Sequence, residues 1–436
     1  MSSRIYIENI DISTLRKIRK SLTIESYSNI YIRNKWIEKR NEDIKLYKIE
    51  KKYLYIPLFF SNKFLTNYPK IEEEYIRNSF STTIILRENQ ENIYIKSIKY
   101  LEKYNTVTLN LYTGFGKTIL SIYISSKYNF LTLIIYYGRI IANQWEKTIN
   151  EFTNATSLVV KNKKIENISQ IFNINFIICS IGKLNYINKE ILHKIGFIII
   201  DEIHVMCTNK RIPNLLKPTP KYIIACTATP KRNDNKDLAF KNICGFHNVY
   251  INDERKLTIY RLFTNIKFSN TSRNWELFLN EMYHNKERNE IVRKIVKENK
   301  NKKILILTWR IFHINILYNM LKEDEDINII KSNDLTYNDS RVLISTISKI
   351  GTGFDEKSLC RNFNGKYIDL IIFLSTTSSS VLITQAFGRG RRSKDPSIIY
   401  FYDNSISIAR HWKKITLVFP NAIYKELYHN LKLKID

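Results

Sequence analysis

The sequence predicts an α/β protein built from two successive parallel β-sheets, each covered by helices. Short, nearly continuous apolar runs alternate with helical patterns, and such runs are typical of strands buried on both faces of a parallel sheet. The pattern occurs twice, with a break between about Pro230 and Lys256. The runs are Thr106–Leu111, Leu131–Tyr136, Phe176–Cys179, Phe197–Ile200 and Tyr222–Cys226, then Lys303–Thr308, Arg341–Ser345, Ile368–Leu374 and Ile398–Tyr402.

The length of 436 residues suggests two or three domains. We predict an accessory domain at residues 1–80, which are rich in Lys, Tyr and Asn and carry no chemical signature. The first lobe is placed at residues 81–235 and the second at 256–436. Residues 236–255 are predicted to be a linker, because the polar, charged stretch Lys231–Lys236 precedes them.

The formal net charge of +28 favours a polyanionic partner, since Lys and Arg gain free energy by displacing counterions from phosphates. The abundance of Ile, Asn, Lys and Tyr also fits an AT-rich genome, which would raise the Lys content of any protein. The charge alone therefore leaves a nucleic-acid partner undecided.

The cysteines and the apolar segments bear on the compartment. No two cysteines have metal-ligand spacing, which argues against zinc or an iron–sulfur cluster, and scattered thiols fit a reducing compartment. No apolar stretch is long enough to span a bilayer, and the N-terminus lacks the apolar core of a signal peptide. We expect a soluble intracellular protein without a membrane partner, in the host cytoplasm or the virion if its source is a virus.

A Gly-rich segment follows the first apolar run and precedes a helical pattern. Glycines there allow backbone N–H groups to turn towards a phosphate, the following Lys reaches the β- and γ-phosphates, and the next hydroxyl is placed to bind Mg²⁺. The general phosphate-loop pattern has Gly where Leu111 stands, so the strict match fails, although the strand–turn–helix context supports it. The candidate nucleotide-binding residues are Thr113, Gly114, Phe115, Gly116, Lys117 and Thr118.

Two carboxylates follow the run Phe197–Ile200 directly, at the carboxyl edge of the predicted sheet, where open α/β folds bind ligands. We predict that Asp201 binds Mg²⁺ together with Thr118, and that Glu202 polarises the attacking water as a general base. The alternative is an acidic pair that caps the next helix. His204 could equally satisfy a local hydrogen bond.

Two of these segments and a third one farther along the chain resemble motifs I, II and III of the superfamily 2 helicases of the DExH type. They are Gly114–Thr118, Asp201–His204 and Thr227–Pro230, in that order. The phosphate loop of that superfamily commonly lacks the first Gly, which removes the difficulty raised by Leu111. The resemblance implies two tandem RecA-like lobes.

Further segments extend the resemblance over about residues 86–410. Leu86–Gln90 resembles the family's Gln-bearing element, which implies that Gln90 contacts adenine. Tyr136–Trp145 is similar to motif Ia, although the usual Pro is missing, Thr346–Asp355 resembles motif V, and Gln385–Arg392 matches motif VI.

The resemblance implies a site divided between the two lobes. Arg389 and Arg392 would stabilise the charge of the transition state when the lobes close; without Gln385 and Gly388 at their offsets, the pair would read as a basic surface turn. Gly353, Asp355 and Gln385 would complete the nucleotide site, and His204, Thr227 and Thr229 would couple hydrolysis to movement. For Gly353 and Asp355 a plain turn stays open.

The implied function is that of an ATP-dependent DNA helicase or translocase that uses ATP and Mg²⁺ and moves 3′ to 5′. Size, composition and motif style resemble the poxvirus family of transcript-release (transcription termination) DNA helicases, so RNA polymerase or transcription factors are expected partners. DNA is favoured over RNA as the nucleic acid. An RNA-directed helicase and an ATP-free nucleic-acid scaffold are the alternatives. Candidate backbone contacts are Arg139, Lys183 and Lys349, while Trp309 is expected to stack or, more simply, to pack.

Overall fold

The computed structural model divides the chain into two compact units, residues 1–252 and 253–436, which are described separately. It describes all residues except 26, 33–34, 41, 113, 139–140, 228–236, 246, 252–255, 269–274, 332–333, 335, 352–353, 355, 378, 391 and 436. None of the helices that it describes is long and apolar enough to cross a membrane.

Unit 1 begins with small antiparallel sheets. β1 pairs with β7, which pairs with β6, while β2 pairs with β5 and β3 with β4. The side chain of Asp11 accepts a hydrogen bond from the N–H group of Thr14 and so caps the first helix. The elements are β1 Ser2–Tyr6, a 3-10 turn Ile7–Asn9, α1 Ile12–Ser21, β2 Thr23–Ile24, β3 Tyr27–Ile32, β4 Lys35–Arg40, β5 Ile44–Lys45, β6 Lys48–Glu50, β7 Tyr53–Pro57 and α2 Leu58–Phe64.

The described part of unit 1 then forms a seven-stranded parallel sheet with the order β10-β11-β9-β12-β13-β8-β14. The helices are α3 Glu88–Tyr104, α4 Lys117–Ser126, α5 Ile141–Phe152, α6 Lys189–Lys194, α7 Ile203–Met206, α8 Ile212–Leu215 and α9 Asp237–Cys244, with 3-10 turns Ile168–Ile171 and Ile181–Tyr186. The strands are β8 Thr106–Asn110, β9 Thr132–Tyr136, β10 Ser157–Val159, β11 Phe176–Ser180, β12 Phe197–Ile200, β13 Tyr222–Thr227 and β14 Asn248–Tyr250.

The two faces of this sheet are covered by different parts of the chain. Alternate residues of a strand point to opposite faces, so Ile198 and Ile200 enter one apolar cluster while Phe197 and Ile199 enter the other. The cluster on the second face draws on α3, α4 and α5. The first cluster contains residues of β1, α1, β7 and α2. Residues 1–80 therefore share a hydrophobic core with the first lobe.

The structure of the segment 236–255 differs from the linker predicted for it. Its residues include α9 and β14, and β14 pairs with β8 as the edge strand of the sheet. Phe240 and Ile243 are buried in the same cluster as the N-terminal strands. An amphipathic helix gains more free energy by burying such side chains than it would as an exposed connection. The predicted linker thus contains part of the first lobe.

Unit 2 repeats the architecture, with the described strands in the order β17-β18-β16-β19-β20-β15-β21, all parallel. Two seven-stranded parallel sheets confirm the predicted fold class of two tandem RecA-like lobes. The strands are β15 Thr258–Lys267, β16 Ile304–Thr308, β17 Ile327–Ile330, β18 Val342–Thr346, β19 Leu370–Phe373, β20 Ser397–Asn404 and β21 Ile423–Tyr428. The helices are α10 Trp275–His284, α11 Lys286–Glu298, α12 Ile311–Leu321, α13 Ile347–Gly351, α14 Glu356–Leu359, α15 Ser380–Gly390 and α16 Ile406–Val418.

Candidate nucleotide-binding site

Three neighbouring strands of unit 1 end beside one another and carry the predicted motifs. β8 leads into the phosphate loop, β12 ends before Asp201 and β13 ends at Thr227, and the three are adjacent in the order β12-β13-β8. The N–H group of Leu111 donates to the carbonyl of Thr227 at 3.1 Å, which joins the first and third motifs directly. The carboxyl edge of the sheet therefore brings together residues that are far apart in sequence.

The phosphate loop depends on two glycines with left-handed backbone. Gly114 has φ 86° and Gly116 has φ 100°, a region that favours glycine. A Cβ atom on Gly116 would lie 2.6 Å from Nε2 of Gln90. Thr113 lies outside the described residues, and Thr118 is half-buried in the first turn of α4.

Lys117 is the first residue of α4, and its Nζ donates to the carbonyl oxygen of Leu111 at 2.9 Å. A neutral carbonyl is a weaker partner for an ammonium group than an anionic phosphate oxygen. The positive charge of Lys117 also reaches Asp201, where it acts to lower the pKa of that carboxyl group. Lys117 therefore lies within electrostatic range of the acidic motif, and its contact with the phosphates stays a prediction.

Gln90 is buried and holds the phosphate loop from behind. Its Nε2 donates to the carbonyl of Phe115 at 3.1 Å, and its Oε1 accepts from the backbone N–H of Arg87 at 3.1 Å. The guanidinium of Arg87 donates to the same Phe115 carbonyl. Arg87 has no predicted role, although it lies in the same segment, Leu86–Gln90, as Gln90. In this structure Gln90 positions the loop, and its contact with adenine stays a prediction.

The carboxylate of Asp201 accepts a hydrogen bond from the indole Nε1 of Trp145 at 3.1 Å. Burial and, next, the charge of Glu202 raise the pKa of Asp201 to about 6, against the opposing effects of the Trp145 hydrogen bond and Lys117. Trp145 lies in the segment predicted as motif Ia, which is expected to contact the nucleic acid. The structure shows that it also orients the acidic motif.

Glu202 adopts left-handed backbone with φ 53° and ψ 56°, which is uncommon for a residue with a side chain. Such strain costs on the order of 1–3 kcal/mol and is concentrated at functional sites. Its Oε2 lies 3.3 Å from Nδ1 of His204. The strained backbone sets the carboxylate at the end of β12, next to Asp201.

His204 links the acidic motif to the third motif. It is 2% exposed, and a hydrogen bond of 2.9 Å joins its Nδ1 to Oγ1 of the fully buried Thr227. The structure therefore brings together two of the three predicted coupling residues, and Thr229 lies outside the described residues.

In unit 2, the predicted motif VI lies on and just after α15. Gln385 and Arg389 are buried; Arg392 is partly buried. The Nε of Arg389 donates to the carbonyl of Ile350 at 3.1 Å, and its Nη1 donates to that of Phe354. Arg389 thus holds the segment predicted as motif V, whose Gly353 and Asp355 lie outside the described residues.

A buried arginine that the prediction did not include flanks α15. Arg288 is 1% exposed; its Nε donates to Oδ2 of the fully buried Asp403 at 3.0 Å, and its Nη2 donates to the carbonyl of Leu374 at 2.9 Å. Leu374 follows β19, before α15, and Asp403 lies on β20, after it. The guanidinium therefore ties together the two chain segments on either side of the motif VI helix.

The predicted nucleic-acid contacts have different surroundings. Lys349 is buried and its Nζ donates to the carbonyl of Asp334 at 2.6 Å. The indole of Trp309 donates to the carbonyl of Thr376 at 3.0 Å, which supports a packing role. Lys183 is half-buried, and Arg139 lies outside the described residues.

The comparisons with known proteins agree with this geometry. Residues 83–232 match the family model described as "Type III restriction enzyme, res subunit". Protein 161L of Invertebrate iridescent virus 6, named as a helicase, is 27% identical over 96% of this chain and 97% of its own length. Transcript termination protein A18 of Yaba-like disease virus is 25% identical over 79% of this chain and 80% of its own length.

These matches, together with the motifs and the fold, are those of a superfamily 2 helicase. The fold of this helicase is also similar to that of S. cerevisiae Dbp5 bound to RNA and ADP BeF3, with a TM-score of 0.57, 16% identity, and coverage of 78% of this chain and 90% of Dbp5. The matched family model spans the phosphate loop, the acidic motif and Thr227. The similarity to helicases implies that the protein binds ATP and nucleic acid.

Proposed function

We propose that this helicase is a DNA-stimulated ATPase that moves 3′ to 5′ along DNA and acts in transcription termination and transcript release. The observation that carries the proposal is the connected set Lys117, Asp201, His204 and Thr227 at one edge of the first sheet. The similarity to transcript termination protein A18 over 79% of the chain supports the biological role.

Several predicted site residues of unit 1 have proposed roles in ATP hydrolysis. Lys117 exchanges its carbonyl partner for the β- and γ-phosphates, and Gly114 and Gly116 leave room for the backbone to bind them. Thr118 and Asp201 would hold Mg²⁺, which neutralises phosphate charge when it is bound. Glu202 orients and deprotonates the attacking water, and the His204–Thr227 bond passes the state of the acidic motif to the end of β13.

Hydrolysis is proposed to require unit 2 as well. Arg392 donates to the phosphoryl oxygens in the transition state, where a planar guanidinium fits the developing charge. Arg389 positions the predicted motif V segment through the backbone carbonyls of Ile350 and Phe354, and Gln385 is buried on α15, the helix that carries Arg389. Such a division makes hydrolysis depend on the approach of the two units, which is how a nucleotide cycle drives movement.

The test is a panel of ATPase rates with single-stranded DNA, duplex DNA and RNA of matched length. We expect the largest stimulation with DNA, and we expect Lys117→Ala to abolish it. Full stimulated turnover in Lys117→Ala would refute the assignment of the site. If every polynucleotide fails to stimulate hydrolysis, the ATP-free scaffold replaces the motor.

RNA is the second candidate substrate, because the fold is similar to an RNA-bound helicase structure. A stronger stimulation by RNA than by DNA would decide for it. The role in termination is tested on a stalled polymerase complex with a labelled transcript: ATP-dependent release by the wild type, and none by Lys117→Ala, is the expected result.

A further inference from the structure

A groove of about 330 Å³ lies between the N-terminal region and the first lobe, within unit 1. Its walls come from β6 and β7 on one side and from the 3-10 turn Ile181–Tyr186, α6 and the end of α8 on the other. The volume is at the lower end of the range of ligand sites, about 300–1,000 Å³. The floor is apolar, and the rim carries Lys48, Lys189 and Lys217.

The charges on this rim do not cancel. The Glu50 carboxylate accepts from Nζ of Lys48 at 2.9 Å and from Nζ of Lys189 at 2.8 Å, so one carboxylate serves two ammonium groups. Lys217 adds a third ammonium group, which donates a hydrogen bond to the side-chain oxygen of Asn185. Burial lowers the pKa of Lys217, and the positive charge of Lys48 lowers it further, which shows that the two lysines repel each other.

The positive surface continues beyond the groove. Lys183, on the same 3-10 turn as Asn185, donates from Nζ to the carbonyl of Lys161 at 2.6 Å and to the side chain of Asn162 at 3.3 Å. We call the set Lys161, Lys183, Lys189, Lys48 and Lys217 the lysine track. The exposed carboxylates in the same segments are Glu166 and Glu190, which, with Glu50, leave the set with a positive balance.

One end of the lysine track, at Lys183, lies at the carboxyl edge of the sheet. The 3-10 turn Ile181–Tyr186 follows β11 directly, so it lies at the same carboxyl edge as the phosphate loop after β8. Three strands, β9, β12 and β13, lie between β11 and β8 in the sheet. A polyanion bound at Lys183 would therefore lie along the same edge as the phosphate loop, with three strands between them.

We propose that the lysine track binds the phosphate backbone of the nucleic acid, so that residues 1–80 supply one wall of the nucleic-acid path. The proposal rests on the proposed nucleic-acid-driven ATPase activity and deepens it. A row of ammonium groups spread over separate chain segments suits successive phosphates better than one compact anion. Its contacts carry no sequence information, because they reach only the backbone.

Binding of labelled single-stranded and duplex DNA, measured by fluorescence anisotropy without nucleotide over a series of salt concentrations, tests the proposal. Each phosphate contact contributes about 0.9 to the slope of log affinity against log salt for duplex DNA and about 0.7 for single strands. The variant Lys48→Gln with Lys217→Gln should therefore lose about 1.8 or about 1.4 from the slope. The single variants should each lose about half of that, which covers the case in which the double variant unfolds.

The matched control is Lys96→Gln with Lys99→Gln, which removes the same charge from the exposed side of α3. We expect the control to keep the wild-type slope, and thermal melting to show that both proteins are folded. A folded groove variant with the wild-type slope would overturn the lysine track and leave the motor intact. If the wild type itself shows no salt-dependent binding to DNA or RNA, the proposed function fails first.

Discussion

Asp201→Asn should make this helicase more stable while it removes ATPase activity. The cause is the buried carboxylate: burial and the neighbouring Glu202 raise the pKa of Asp201 from the ordinary 3.8 to about 6. The folded chain must therefore hold an ionised group that its surroundings disfavour at neutral pH. An amide has no charge to bury and can still accept the hydrogen bond from Trp145.

The size of the gain follows from the shift in pKa. Each pKa unit corresponds to about 1.4 kcal/mol, so the penalty reaches up to about 3 kcal/mol. The native pKa is the higher one, so the native state binds the extra proton between about pH 4 and 6, and wild-type stability falls as the pH rises through that window. The advantage of Asp201→Asn should be greatest at pH 8 and roughly half as large at pH 5.

Urea unfolding of both proteins at pH 5 and pH 8, followed through the transition of unit 1, measures this difference. The control is Glu50→Gln, also in unit 1, because Lys189 and Lys48 lower the pKa of the half-buried Glu50 to about 2. That variant should change stability in the opposite direction or not at all. If the free energies of unfolding of Asp201→Asn and the wild type differ equally at both pH values, the reasoning from burial is wrong.

Three further substitutions test other parts of the structure. Arg392→Ala should lower stimulated turnover by about 10³–10⁵ without weakening DNA binding, and near-normal turnover would count against its contact with the nucleotide. Gly116→Ala should weaken binding of a fluorescent ATP analogue by about 10- to 100-fold, because φ 100° and a Cβ atom 2.6 Å from Gln90 strain the loop. Arg288→Met should cost unit 2 about 3–5 kcal/mol in urea unfolding, since it leaves a buried carboxylate unpaired; an unchanged midpoint would show that the ion pair does not brace the lobe.

Nine interior strands of the two large sheets could be predicted from the sequence, whereas the interior strand β15 and the edge strands could not. All nine predicted apolar runs correspond to strands, since each is buried on both faces of a sheet. β15 has no such run because Arg261 interrupts it. The structure shows why that charge is tolerated: Arg261 pairs with Glu426 on the edge strand β21 and lies 4.7 Å from the ring centroid of Phe263. Contacts of this kind between distant segments leave no local pattern.

The residues of the candidate site also fall into a group that could be predicted from the sequence and a group that could not. The motif residues were predictable because their chemistry demands particular residue types at a fixed order along the chain. Arg87, Trp145 and Arg288 were not assigned their structural roles, because each acts by holding another group, the Phe115 carbonyl, the Asp201 carboxylate or Asp403. Positioning depends on which segments meet in space, and that information comes from the fold.

The shared core of the N-terminal region and the first lobe has a mechanical consequence. Ile5 and Leu54 are buried in the same apolar cluster as Ile198 and Ile200, the last strand residues before the acidic motif. No hinge is needed between such parts, so residues 1–80 and the phosphate loop should unfold in one cooperative step and resist load as one stiff body. A force applied at the groove should therefore be transmitted directly to β12, the strand that ends before Asp201, because residues of both pack into that one apolar cluster.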